Sequence, residues 1–329
     1  MSLPICVAQH YSAKVLFHRE AVFKADPTAS INAKVLYINS ETFSLNRPSF
    51  SSAALSNSRE PKMPVKGNVK IEGALDLELS PQMTEFLYYV FGSCSSTAGP
   101  HYTHTIKIGA LPSFLLEKGF TDIAASGDAG YFKYNGVKVN TFSLTIGSEG
   151  IVKCSIGCMG GSLTNSATTF NASATDNSHT PFDNASISLE EGGAPIAYVE
   201  SVKLDVNNGL VVKYGMDGSG EPTCITAGST KVTGTLTALF RNMTLYNKAI
   251  NDAETSLKIA FTRGTGAGTS GNETLEFLIN ELKYAPKDPN IKGPGPISIE
   301  LNFEGYYDDN SDLTAFKITA KNEIAVDYA

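Results

Sequence analysis

The residues that could do chemistry are few, and none of their spacings completes a known site. His101 and His104 could together hold a metal, but no cysteine or third histidine lies at ligand spacing. Cys154 and Cys158 lie four apart on a predicted strand, so both point to one face, which is typical of a packed core. The sequence therefore predicts no catalytic, cofactor-binding or metal-binding residue.

Two turn-rich segments each resemble a ligand-binding motif but lack residues that the motif requires. Residues 264–271 (GTGAGTSG) lack the Lys-Ser/Thr of a phosphate-binding loop, which favours a plain loop tip. Asp308, Asn310 and Asp312 are spaced like the start of a calcium loop. Leu313 replaces the required glycine and Thr319 the closing glutamate, so the motif fails. We expect a protein that is not an enzyme.

Composition bounds the class of protein. The chain has 329 residues, a length typical of about two domains, and its 42% hydrophobic content is enough for two cores. Its formal charge of −7, from 33 acids against 26 bases, argues against a surface that grips nucleic acid. The negative charge does not argue against a protein that repels nucleic acid and lets it pass. The 29 glycines and the absence of tryptophan fit a β-rich chain with many turns.

The sequence carries no targeting signal that we can identify. The N-terminus lacks the basic start and apolar core of an export signal, and no run approaches the ~18 apolar residues of a membrane span. We therefore expect no membrane insertion, synthesis in a reducing cytoplasm, and cysteines that are free buried thiols. These are Cys6, Cys94, Cys154, Cys158 and Cys224.

The most informative feature is an internal repeat. Val35 to Leu79 aligns without a gap on Ile196 to Phe240, a shift of 161 positions (196 − 35). Ten of the 45 aligned positions are identical, where chance would give roughly three. They include the Glu-Pro pairs Glu60-Pro61 and Glu221-Pro222. A repeat of this length indicates a duplicated domain, because solenoid units are shorter.

Each copy predicts the same elements in the same order. A strand-like run at 35–45 or 196–206 is followed by a period-two strand at 69–79 or 230–240, with one buried and one polar face. A short helix comes next: Ser80 caps it, Met83, Phe86, Leu87, Val90 and Phe91 form its apolar stripe, and Gly92 ends it. In the second copy, Asn242 is the cap, and Met243, Tyr246, Ala249 and Ile250 form a shorter stripe.

More strands follow each helix, which predicts a mainly β fold. We expect two tandem antiparallel β-sandwiches or half-barrels, each with one flanking α-helix. Residues 1–24 are predicted to be an N-terminal arm, 25–160 the first copy, 161–181 a Ser/Thr/Asn-rich linker and 182–329 the second copy.

Long polar loops recur at the same place and length in both copies. The first loop is Arg47–Lys66 and the second loop is Asn208–Ala227. Loops of about twenty residues are unusual in a compact domain and are often functional. Equal length with different sequence favours a retained geometry, and slow divergence after a recent duplication is the alternative.

These features together resemble the tail tube proteins of long-tailed bacteriophages, in particular the larger two-domain type. The resemblance rests on VKIEGALDLEL at 69–79 before the helix Pro81–Phe91, on TKVTGTLTALF at 230–240 before MTLYNK, and on ISLEEGGAPIAYVESVKLDV at 187–206. It covers the chain from about Ala25 to the end. The order of elements and the duplication carry it, since no single motif is specific.

The resemblance implies a structural virion protein of the phage tail, made in the host cytoplasm. Two fused copies would form trimeric, pseudo-hexameric rings that stack into a hollow tube conducting DNA to the host. The implied partners are further copies of the chain, a tape-measure protein and DNA in the lumen without specific DNA binding, and tail terminator and tail-tip proteins. Expected inter-ring residues are Phe50, Leu55, Glu60, Pro61, Met63, Met216, Glu221 and Pro222. Expected lumen-facing residues are Glu72, Asp76, Glu78, Thr233, Thr235 and Thr237.

Two other readings stay open at this point. One is a different virion or surface protein built of tandem β-sandwiches, such as a capsid decoration protein or an adhesin, which would not form tubes. The other is a carbohydrate-active module, which would need an aromatic platform or a carboxylate pair in a cleft. The chain has no tryptophan, and we can assign no such pair.

Overall fold

A computed structural model describes residues 8–27, 31–54, 59–125, 127–291 and 293–325. Within them the chain is mainly β, with antiparallel pairing throughout the named strands. The strands of the first half are β1 Ala13–Arg19, β2 Lys34–Leu36, β3 Ser40–Glu41, β4 Ser44–Asn46, β5 Ser49–Phe50, β6 Val65–Lys66, β7 Lys70–Glu78, β8 Gly92–Thr97, β9 Tyr102–Ile108, β10 Phe114–Phe120, β11 Tyr131–Ile146, β12 Lys153–Gly160 and β13 Ser162–Ser166. Those of the second half are β14 Ile187–Glu191, β15 Ala194–Pro195, β16 Val199–Asn207, β17 Val211–Tyr214, β18 Pro222–Thr226, β19 Lys231–Leu239, β20 Thr255–Thr262, β21 Thr274–Tyr284, β22 Ser298–Gly305 and β23 Lys317–Asn322. The α-helices are α1 Thr84–Phe91, α2 Thr121–Ala125 and α3 Thr244–Ile250.

One layer of the fold is a sheet that runs through both copies. Its strands follow the order β4–β7–β12–β11–β16–β19–β22, with β3 beside β4 on β7. The copies meet where β11 pairs with β16, from Thr141 opposite Asn207 to Ile146 opposite Val202. We call this junction the internal seam.

The C-terminal end of β21 pairs with β22, from Leu282 opposite Gly305 to Tyr284 opposite Phe303, and completes this inner sheet. The strands β4, β7, β12 and β11 of the first copy are thus matched by β16, β19, β22 and β21 of the second.

A second, outer layer covers the apolar face of the inner sheet. In the first copy it contains β2, β1, β10, the N-terminal part of β11, and β13. In the second copy it contains β15, β14, β20, the N-terminal part of β21, and β23. The hairpin β8–β9 of the first copy then continues the second copy's layer, because β9 pairs with β23. The two copies are therefore interlocked in both layers.

A single hydrophobic core extends between the layers of both copies. Helix α1 fills it in the first copy, where Phe86, Leu87 and Val90 are buried. A glycine is required at one repeated position of the inner sheet: a Cβ on Gly73 would lie 2.4 Å from Phe43 Cα, and one on Gly234 would lie 2.3 Å from the Phe303 ring. This close approach explains why both copies have glycine there.

The first predicted helix is confirmed in its stripe and its end. Its five apolar residues are all buried, and Gly92 ends the helix with φ +93°. The predicted start is wrong, because Pro81–Met83 form a 3-10 turn, α1 begins at Thr84, and Ser80 makes no side-chain capping hydrogen bond.

In the second helix the predicted stripe is partly wrong. Met243 and Ile250 are exposed, whereas Leu245 and Ala249 are buried. The helix has fewer than two full turns, so one or two residues facing the core suffice to hold it. The N-cap is Met243, one residue after the predicted cap Asn242, whose side chain accepts a hydrogen bond from Thr244 N–H.

Several segments differ from the sequence prediction in structure. The first apolar run of the first copy is broken into β2, β3 and β4, and Tyr37 and Leu45 are exposed. The first and second loops are not structureless, since they contain the hairpins β5–β6 and β17–β18. The segment predicted as an arm supplies β1 to the outer layer, and the segment predicted as a linker supplies β13.

The cysteines divide into two kinds. Cys154 and Cys158 are buried on one face of β12, and burial raises the pKa of each thiol to about 12. Cys94 and Cys224 are only half-buried, which corrects the expectation that all five are buried, and Cys6 lies outside the described residues. In the part of the chain that the structure describes, no helix is long and apolar enough to cross a membrane.

Candidate functional site

The residues considered for chemistry are placed in structural roles. His104 is buried and its Nε2 lies 3.2 Å from Asn322 Oδ1; burial lowers its pKa. The Asn322 amide donates to Thr84 Oγ1 (2.9 Å) and Pro81 O (3.2 Å), which ties the last strand to the start of α1. Asp308 accepts hydrogen bonds from the backbone N–H groups of the turn that follows it. Residues 264–271 form the turn between β20 and β21.

The residues expected to face a lumen all lie on one side of the inner sheet. Alternation along β7 buries Ile71, Leu75 and Leu77 and leaves Glu72, Asp76 and Glu78 on the opposite, polar face. Alternation along β19 places Thr233, Thr235 and Thr237 on the same face, since antiparallel partners in register point the same way. The structure therefore brings the six residues to one continuous surface.

Strand register groups this polar face into rows that cross the sheet. One row runs through Ser40, Asp76, Ser155, Ser143, Asp205, Thr233 and Glu304. Its carboxylates come from both copies, so the second copy is not limited to threonines. Hydrogen bonds from Ser155 Oγ and Ser40 Oγ (2.7 Å each) hold the pKa of Asp76 below its usual range, so it is ionised at neutral pH.

Sequence reasoning missed Asp205 and Glu304 as members of this row. Their strands were identified only by their buried positions, such as Leu204 and Phe303. On a half-buried strand, the residues that alternate with the buried ones must face the opposite side of the sheet. The alternation along each strand would therefore have identified Asp205 and Glu304.

The second loop is bound to the first copy of the same chain. Val69 N–H donates to Gly220 O (2.7 Å), and Tyr214 Oη donates to Val69 O (2.9 Å). Lys24 Nζ lies 2.6 Å from Glu221 Oε2, with both side chains partly buried. Of the expected inter-ring residues, Glu221 therefore contacts its own chain and Pro222 is buried, while Met216 is fully exposed.

The first loop projects instead into solvent. Phe50, Met63 and Val65 are exposed large apolar residues, and Glu60 and Pro61 are exposed beside them. Leu55 lies outside the described residues. The base of the loop matches the second copy: Gly67 N–H donates to Pro48 O as Gly228 N–H donates to Gly209 O. The repeat is thus retained at the base of each loop, and the two loops differ in what they contact.

The two outer edges of the inner sheet differ from the internal seam in burial. Val206 is 1% exposed because β11 covers it at the internal seam, whereas Leu45, its repeat equivalent on the edge strand β4, is 42% exposed. An apolar residue on an open strand edge is a hazard for a monomer and normally marks an interface.

The opposite edge is the C-terminal end of β21, which pairs with β22, together with the segment that follows it. Ala285 N–H donates to Asn302 O, and beyond it Pro286 and Pro289 interrupt the pairing. Prolines on an edge strand prevent indiscriminate pairing with other chains. Ile291 and Ile297 are exposed along this segment, so both edges carry apolar residues.

The fold and these surfaces define a mainly β structural protein whose inner sheet runs through both halves of the chain and has an exposed apolar residue at each edge. Comparison with protein families places it more narrowly: residues 11–305 match the family model described as phage tail tube protein, and the chain belongs to this family. It is a structural protein of the virion tail. No curated protein matches the chain.

Proposed function

We propose that three chains close into a pseudo-hexameric ring and that such rings stack into the tail tube. The observation that carries this proposal is the internal seam. Two repeat copies already join side by side through β11 and β16, and the free edge β4 is the repeat equivalent of β16. Three chains with two copies each fill six equivalent positions in a closed ring, which removes every open edge of the inner sheet.

The polar face of the inner sheet lines the lumen in this arrangement. The opposite face is the hydrophobic core, so only the polar face is free to border a channel. Hydroxyl groups and the acidic row of Asp76, Asp205 and Glu304 give this face little attraction for phosphates. Lys203 does not offset this, because it lies 2.9 Å from Asp205 and is paired with it. DNA and the tape-measure protein therefore pass without specific binding. Rings bearing Asp76→Lys and Asp205→Lys should retain DNA in a filter-binding assay, whereas unaltered rings should not.

Ring stacking uses the loop tips that remain exposed. Met216, in the second loop, is apolar and fully in contact with solvent, and we assign the stacking contact to it. A ring-to-ring contact is heterologous, so it continues without limit until other proteins end it. Terminator and tip proteins would meet the same surfaces at the two ends of the tube. The role is structural rather than catalytic.

The direct test is the mass of the assembled particle. Native mass spectrometry of the purified chain should give 105 kDa (3 × 35.0 kDa) or multiples of it. A particle of 210 kDa that does not dissociate to 105 kDa would replace the trimer by a hexamer. A particle that stays at 35.0 kDa at all concentrations would favour a decoration protein or adhesin, which needs no ring.

A further inference from the structure

The place where the second loop binds the first copy has an equivalent on the second copy. Gly220 and Tyr214 bind the backbone of Val69, next to Gly67 and Gly160. By the repeat, Val69 corresponds to Thr230 and Gly67 to Gly228. Gly160 corresponds to Gly305, because Gly160 pairs with Ile71 and Gly305 with Val232, its repeat equivalent.

In the second copy this place is an open groove. A groove of about 490 Å³ is lined by Gly228, Thr230, Glu304, Gly305, Tyr306 and Leu313, among others. The apolar part of the lining is substantial, since Tyr307 and Leu313 are both more than half exposed. The groove and the filled site are therefore one repeated feature, occupied by a loop in the first copy and unoccupied by the described residues in the second.

We propose that this groove takes the first loop of a second copy of the chain, the ring neighbour. The second loop reaches from its own copy to the adjacent copy in the same inner sheet. In the ring, the second copy of the neighbouring chain lies beside the first copy, just as the two copies lie side by side within one chain. The first loop should therefore reach the second copy of the neighbouring chain in the same way. Its exposed Phe50, Met63 and Val65 supply the apolar surface that would cover the exposed Tyr307 and Leu313 of the groove.

Charge complementarity supports this occupant. The filled site has the acidic Glu221 of the loop against Lys24. In the second copy the short turn after β14 replaces the segment that carries Lys24. The groove lining has one acid, Glu304, and one base, Lys231. Carboxylates of Glu281, Asp308 and Asp309 lie within 4.8 Å of one another, and Asp308 directly follows the lining residue Tyr307 in the chain. Tyr306, a lining residue, donates its N–H to Glu281 O, as Gly161 donates to Asn135 O in the first copy.

The first loop carries more positive charge than the second loop. Where the second loop reads Gly220-Glu221-Pro222-Thr223, the first reads Arg59-Glu60-Pro61-Lys62, so two cations are added. The first loop keeps Glu60 at the position of Glu221 and adds Arg59 and Lys62 beside it, and these two cations would face the carboxylates of Glu281, Asp308 and Asp309. The contact predicted by equivalence is Thr230 N–H donating to Arg59 O of the neighbouring chain.

Disulfide cross-linking tests the contact in the full-length chain. The double variant Arg59→Cys with Thr230→Cys should form inter-chain disulfides on mild oxidation and give a covalent trimer of 105 kDa (3 × 35.0 kDa) on a non-reducing gel. Each single variant should stay at 35.0 kDa, which controls for the native cysteines. The inference rests on the proposed function, and the outcomes separate the two.

Three outcomes would overturn it. A trimer by mass without cross-links refutes the loop contact and leaves the ring standing. A ladder that continues beyond three chains means that the loop comes from an adjacent ring. A protein that remains monomeric refutes both proposals.

Charge-reversal variants test the proposed loop contact independently of the cross-linking. Arg59→Glu or Asp309→Lys alone should weaken trimer association by about fivefold or more per interface, and the two together should restore it. Glu149→Lys is the matched control, because Glu149 is an exposed acid in the turn at the other end of the inner sheet. A combined variant as weak as the single ones would contradict the pairing.

Discussion

Truncation to alanine should have different effects at the repeat-equivalent residues Leu45 and Val206. It should weaken the fold at Val206 and the association of chains at Leu45. Val206 is buried at the internal seam, so Val206→Ala should lower the free energy of unfolding by about 1–3 kcal/mol through lost burial and a cavity. Leu45 is 42% exposed on a free edge, so Leu45→Ala should change the stability of the isolated chain by only about 0.5 kcal/mol. Its larger effect should be on association.

The size of that effect follows from the exposed surface of Leu45. If ring closure buries the remaining 42% of a side chain whose full burial is worth about 2 kcal/mol, each interface loses about 1 kcal/mol on truncation. That is about fivefold per interface and on the order of a hundredfold for three interfaces.

Sedimentation velocity over a range of concentrations measures the association, and urea unfolding measures the stability. Leu45→Ala should dissociate at concentrations where Val206→Ala is still trimeric. The reasoning is refuted if Leu45→Ala leaves the trimer unchanged, or if it destabilises the isolated chain as much as Val206→Ala does.

Three further predictions concern stacking, thiols and pH. Met216→Glu should leave the trimer intact but prevent tubes by electron microscopy; tubes of normal length would exclude this loop tip from stacking. Cys154 and Cys158, with pKa values of about 12, should react with a thiol reagent at neutral pH only after denaturation, and rapid labelling of either by peptide mass spectrometry would contradict their burial. The folded pKa of His104 is below its ordinary 6.5, so the unfolded chain binds the proton first and stability should fall as pH drops below about 6.5. His104→Gln should reduce this slope in unfolding curves, and an unchanged slope would assign it to other groups.

Much of the fold could be predicted from local patterns in the sequence. The alternation at 69–79 and 230–240 fixed which residues of β7 and β19 are buried, and the spacing of Phe86, Leu87 and Val90 fixed the buried face of α1. These signals are local, because a strand or helix that buries one face must repeat its apolar residues with the period of the element. The internal repeat was also visible, because identical residues at a fixed spacing of 161 positions can be found in the sequence alone.

The sheet edges and the groove could not be predicted in this way. The pairing of β9 with β23 joins residues more than two hundred positions apart, and nothing local distinguishes it from other pairings. The different surroundings of the two loops depend on Lys24, which lies in a segment without a counterpart in the second copy. The burial difference between Leu45 and Val206 likewise requires knowing which strand lies at the edge.

In the proposed ring, the two copies of each chain occupy adjacent positions. Electron microscopy of the purified full-length chain, with class averages viewed down the channel, tests this arrangement most directly. We expect hollow rings or tubes whose density shows six similar lobes around a central hole but repeats only every third of a turn. Solid particles without a hole, or rings with a number of lobes other than six, would contradict it.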